Sequence, residues 1–156
     1  MAKRHKKSDQ VGELIREFRE SGNLDDAFDN LAAERLGVSE TDLHCLNIIE
    51  NAGGVTAGEL AAQSGLTTGA VTGVIDRLEK KGFARRVSDP ADRRRVKVEV
   101  TKAFYSRAER IWGPVAGEWA SSLERFSAEQ LESFQQFLRT TNMITRSHLD
   151  RLREMR

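Results

Sequence analysis

Residues 55–101 read VTAGELAAQSGLTTGAVTGVIDRLEKKGFARRVSDPADRRRVKVEVT, and this stretch decides the fold. Thr56 and Glu59 have the spacing of a capping box, in which a hydroxyl and a carboxylate satisfy the open N–H groups of a helix start; Leu60 and Ala61 supply the apolar side. Gly65 ends that helix after about two turns. Thr67 is placed to cap a second helix, whose Val71, Val74, Ile75 and Leu78 fall at i, i+3, i+4 and i+7, and Gly82 stands where a helix-ending glycine belongs. Two short helices across a tight glycine-containing turn make a helix-turn-helix. Beyond Gly82 the apolar period changes from 3.6 to 2. Residues 83–87 read as a short strand, 88–92 carry turn chemistry, and Val96, Val98 and Val100 alternate with Lys97 and Glu99. The pattern predicts a β-hairpin with a long basic tip, the wing of a winged helix.

Outward from this segment the chain returns to helix on both sides. Val11, Leu14, Ile15 and Phe18 mark one face of a first helix, with a looser continuation through Leu24, Phe28 and Leu31, and Gly37 stops it near Leu36. Ser39 followed by Asp42 starts a short second helix carrying Leu43, Leu46 and Ile49 as far as Gly53 and Gly54. After the wing, Ala108, Ile111, Trp112, Val115, Trp119, Leu123 and Phe126 mark one face of a helix in which Gly113-Pro114 predicts a kink or break, because proline lacks the backbone donor. Ser127 and Gln130 form a second capping box, opening a last helix with Leu131, Phe134, Leu138, Leu149 and Leu152. The fold class is mostly α with a small β-hairpin wing. A single domain over 1–156 is expected, with 38–101 as the winged helix-turn-helix and 1–37 and 102–156 as flanking helices.

The 156 residues hold 25 Lys and Arg against 24 Asp and Glu, for a net charge of +1, but the charge is segregated. Residues 67–97 carry nine basic and four acidic side chains, a net of +5, and residues 1–8 add +4, so the other 117 positions sum to −8. A basic cluster alone fits a solvated surface as well as a nucleic-acid face; its place on a helix-turn-helix favours the second. With 38% hydrophobic residues the core is modest. The single cysteine, Cys45, allows no internal disulfide and no CxxC motif, there is no signal-peptide pattern, and no apolar run spans a bilayer, so a cytoplasmic protein without membrane contact is expected.

On the helix expected over 68–81, the face opposite the valine stripe consists of Thr68, Gly69, Thr72, Gly73, Asp76 and Lys80. Each interior glycine costs about 1 kcal/mol relative to alanine, so something compensates. Either the missing side chains admit a neighbouring helix, or they let this helix approach bases in a major groove about 12 Å wide, with threonines at the base edges. At the wing tip, Arg93, Arg94 and Arg95 suit phosphates or the minor groove, and Asp92 suits orienting one of them through a bidentate pair.

In order, spacing and wording this segment resembles the MarR family of winged-helix transcriptional regulators, and the closing DPADRRRVKVEVT is the most diagnostic part. The resemblance implies a homodimer held by its first and last helices, with one recognition helix per subunit in successive major grooves of pseudo-palindromic double-stranded DNA. It implies DNA contacts at Thr67, Thr68, Gly69, Thr72, Gly73 and Arg77 in the recognition helix and at Arg93, Arg94 and Arg95 in the wing. Arg77 pairing instead with a glutamate on its own helix is the alternative. A repressor released by a small aromatic or phenolic effector is also implied, with Phe18, Phe28, Trp112 and Trp119 as the candidate pocket and ordinary packing as the competing role of each. Cys45 reads as a small core hydrophobe rather than a redox switch. His44 and Cys45 point about 100° apart on a helix, a poor metal pair, so neither a metal nor a cofactor is expected. No nucleophile-base set or phosphate loop is present, so the chain is not expected to be an enzyme. The rival class is a winged-helix protein-interaction module without sequence-specific DNA binding.

Overall fold

In the computed structural model the described residues are 7–88, 92 and 95–155. They comprise α1 (Lys7–Leu36), α2 (Glu40–Asn51), β1 (Val55–Thr56), α3 (Ala57–Ser64), α4 (Thr68–Lys80), β2 (Ala84–Ser88), β3 (Val96–Val100), α5 (Lys102–Leu123) and α6 (Ala128–Glu154). They divide into two compact units, the first ending at Ile111 and the second beginning at Trp112.

Local chemistry sets the helix ends in the first unit. Ser39 caps α2 by accepting the Asp42 N–H, Thr56 and Glu59 form the reciprocal capping box of α3, and Thr67 caps α4 through the Ala70 N–H. Gly65 closes α3 at φ +73°, a left-handed conformation that a side chain would disfavour. The stripes expected from the sequence meet here: Leu43, Leu46 and Ile49 of α2, Leu60 of α3, and Val71, Val74, Ile75 and Leu78 of α4 are buried together with Phe83, Val98 and Phe104. Thr101 ties the wing to α5, because its hydroxyl donates to the Gly82 carbonyl at 2.6 Å and accepts the Phe104 N–H at 3.2 Å.

The wing is part of a three-stranded antiparallel sheet in the order β1-β3-β2. β2 and β3 pair from Ala84↔Val100 to Ser88↔Val96, and β1 adds Val55↔Val98 and Thr56↔Lys97. β1 is new relative to the sequence reading. Two residues carry no period-2 signal, and their pairing partner lies over forty positions away.

Two expectations for the long helices change. Leu24, Phe28 and Leu31 do not continue the stripe of Val11, Leu14, Ile15 and Phe18. At 100° per residue they centre about 120° around α1 from that stripe and from Ala32, Ala33 and Leu36, which are buried, and all seven larger side chains are exposed. Of the kink or break expected at Gly113-Pro114, the break does not occur, since α5 runs unbroken through Pro114. Proline removes one ladder bond, whereas stopping and restarting would add the cost of a fresh nucleus.

In the second unit, Ser127 and Gln130 form the capping box that opens α6. The Phe126 ring meets Phe134 edge to face at 5.2 Å, closing the turn against the first helical turns. α6 has no buried residue; Phe134, Leu138, Leu149 and Leu152 are all exposed along it. No helix among the described residues is long and apolar enough to cross a membrane.

Candidate nucleic-acid interface

The candidate interface is built on α4. Its core stripe fixes the rotation of the helix, and that rotation leaves Thr67, Thr68, Gly69 and Thr72 exposed, with Gly73 half-buried beside them. A Cβ built at Gly69 would meet no atom within 4 Å, and one at Gly73 would meet only Nη1 of Arg77, at 3.5 Å. Among the described residues, then, no neighbouring helix requires these glycines.

The threonines are already sorted by role. Thr67 Oγ1 accepts the Ala70 N–H at 3.3 Å, which leaves its proton to donate from the positive end of the helix. Thr72 Oγ1 donates to the Thr68 carbonyl at 3.0 Å, which leaves it an acceptor.

Arg77 has a partner that sequence reading did not identify. Its Nη2 and Nε donate to Asp42 of α2 at 2.6 and 3.2 Å in a fork, so the expected alternative, a glutamate on its own helix, is replaced by an acid 35 residues away. Asp42 is 3% exposed and is the one buried polar side chain among the described residues. A signal was present: Asp42 shares the helical face of Cys45, Leu46 and Ile49, where an acid is out of place without a cation. The Asp42 hydrogen bond raises the Arg77 pKa further above its already high ordinary value. Nη1 remains beside Gly73.

Other ion pairs bind the wing to α3 and α4 and join its two strands. Arg86 of β2 donates to Asp76 at 2.7 Å and to Glu79, so the acids of α4 are matched by a strand cation. Arg85 meets Glu99 at 3.1 Å across the strand pair that their register predicts. Arg95 Nη2 donates to Glu59 Oε1 at 3.0 Å, while Glu59 Oε2 accepts the Thr56 N–H and hydroxyl at 2.8 and 2.9 Å. Those Thr56 bonds, and to a lesser degree Arg95, hold the Glu59 carboxyl below the usual range. At the tip, the Asp92 carbonyl accepts the Arg95 N–H at 2.8 Å. Arg93 and Arg94 lie outside the described residues.

The remaining candidates lie on α1, α2 and α5. Phe18 and Phe28 are exposed on α1, Trp112 is half-buried on α5, and Trp119, further along α5, is 57% exposed. Cys45 is fully buried, and desolvation, with Asp42 as a second cause, pushes its thiol up. His44, the next residue, is exposed, and among the described residues no group of three His, Cys, Asp or Glu is placed to hold a metal ion. Cys45 should accordingly react with iodoacetamide at pH 8 only as fast as the chain unfolds. Labelling that is rapid in buffer and indifferent to mild denaturant would contradict its core role.

A sequence model of the MarR family matches residues 38–96. Over 154 residues, 99% of this chain and 100% of the relative, the sequence is 34% identical to YcgE, an uncharacterized HTH-type transcriptional regulator of Bacillus subtilis (strain 168). Over 80 residues, 51% of this chain and 48% of the relative, it is 29% identical to YetL, an HTH-type transcriptional repressor of the same organism. The fold is similar to that of a MarR family protein from Bacillus stearothermophilus, with a TM-score of 0.63 over 90% of this chain and 99% of that one at 21% identity.

Proposed function

The chain belongs to the MarR family of winged-helix transcriptional regulators, and from that premise we propose that it is a homodimer that binds a pseudo-palindromic DNA operator and represses transcription until a small aromatic or phenolic effector releases it. In this reading α4 enters the major groove. Thr67 and Thr68 meet phosphate at its N-terminus, Gly69 and Gly73 allow close approach, and Thr72 and Nη1 of Arg77 face base edges. Arg93 and Arg94 carry the wing to phosphates or the minor groove.

The observation that carries the DNA reading is the open glycine face: two helical glycines that nothing in the described chain needs, flanked by threonines whose hydroxyls are already divided into donor and acceptor. What supports the homodimer is the exposed apolar stripes of α1 and α6, which in water call for a partner, and a second copy with its own stripes supplies one.

The test is DNA binding titrated with salt, for the wild type and Arg94→Ala. Log affinity is expected to fall linearly with log salt, and the variant is expected to lose about 0.9 of that slope for each phosphate contact removed. An unchanged slope and affinity would remove Arg94 from the interface, and no sequence preference at any salt would favour the protein-interaction module. Because coupling is reciprocal, a true effector weakens operator binding and is itself bound less tightly when operator is present.

A further inference from the structure

We infer that Glu59 is a positioning residue for the wing and that Arg95 anchors the wing to α3 rather than contacting DNA. The inference deepens the reading above and rests on it for its DNA arm.

The geometry starts from a cap. One Glu59 oxygen is fixed by two bonds to Thr56, and this leaves the other, Oε1, in a set position at the start of α3. Arg95 reaches that oxygen at 3.0 Å. Thr56 in turn pairs with Lys97, two residues along from Arg95, so the ion pair closes a ring formed by β1, the α3 cap and the root of the tip. The Arg95 N–H is also taken, by the Asp92 carbonyl. An arginine held at both its backbone and its guanidinium is poorly suited to insertion into a groove and well suited to fixing the root of the wing. The sequence reading treated the three arginines as equivalent. The acid that separates Arg95 from the other two lies 36 positions away.

The test exploits a substitution that separates the cap from the anchor. Glu59→Gln keeps an amide oxygen for the Thr56 bonds, since glutamine also serves in capping boxes, but it removes the charge that holds Arg95. Amide hydrogen exchange at Val96 and Lys97, measured without DNA, is expected to quicken up to about fivefold in Glu59→Gln and in Arg95→Ala, the range that an exposed ion pair supports, with no further gain in the double variant. Arg95→Lys should recover part of the protection. Equal exchange in wild type and both single variants would overturn the anchor whether or not the protein binds DNA. On operator DNA, Arg95→Ala is expected to keep the wild-type salt slope and to lose discrimination between A·T and G·C pairs beneath the wing. A fall in slope of about 0.9 per subunit would instead make Arg95 a phosphate contact and overturn the inference. If the wild type showed no operator preference while the exchange results held, the DNA reading would fail and the anchor would stand.

Discussion

Gly73→Ala, and more mildly Gly69→Ala, should raise the melting temperature and at the same time lower operator affinity about fivefold or more. The stability half follows from the helix alone. Alanine is favoured over glycine in a helix interior by about 1 kcal/mol, which in a chain of this size is a rise of roughly 2–4 °C. The space exists, since a Cβ at Gly73 meets only Nη1 of Arg77, at an ordinary contact distance of 3.5 Å, and one at Gly69 meets nothing within 4 Å. Gly69 lies in the first turn, where the propensity gain is smaller. The affinity half follows from the proposed docking: a methyl added to a surface that fits a groove closely is an overpacking error of about 1–3 kcal/mol, or about 5- to 150-fold in affinity. Thermal melts and operator titrations of the same preparations check both halves. A melting point that rises while affinity stays unchanged would mean that the groove never approaches these glycines.

Arg77→Ala is expected to destabilise the fold by about 1–3 kcal/mol, because it leaves the carboxylate of Asp42 buried without a cation. Against a typical total of about 5–15 kcal/mol, that is a large share. The arginine itself is more than half exposed, so the loss comes mainly from the acid left behind rather than from the lost attraction. Asp42→Asn with Arg77→Met, which removes both charges, should therefore be closer to wild type than Arg77→Ala alone. Urea denaturation at pH 7 distinguishes the two accounts; a double variant as unstable as the single would locate the cost in the lost pair. Arg77→Lys is expected to fall between, because an ammonium supplies one point of contact where Asp42 now receives a fork.

Which parts of this molecule were legible in sequence follows from the range of the interactions. The caps at Ser39, Thr56, Thr67 and Ser127 close over three residues, and the core stripes repeat within one helix, so each is visible in a short window. The wing hairpin showed itself through its period of two and its turn residues. Asp42–Arg77 and Glu59–Arg95 join positions 35 and 36 apart, and Arg86 reaches Asp76 and Glu79 only once β2 has folded back along α4. No local window contains both partners of the first two pairs, and no helix or strand period links Arg86 to its two acids. They also explain why counting charges on residues 67–97 overstates the freedom of its cations: Arg77, Arg85, Arg86 and Arg95 each already meet a carboxylate. The second stripe of α1 was misread for a related reason. Residues 24, 28 and 31 have helical spacing among themselves, and only the angle from residue 18 shows that they face elsewhere.

The most direct test of the DNA account is selection of bound duplexes from a random pool by the purified chain, with its mass in solution measured in parallel. The account predicts a dimer that enriches one pseudo-palindrome, with half-sites about one helical turn, roughly 34 Å, apart. A folded protein whose selected pool stays random, at low salt as well as at high, would contradict it.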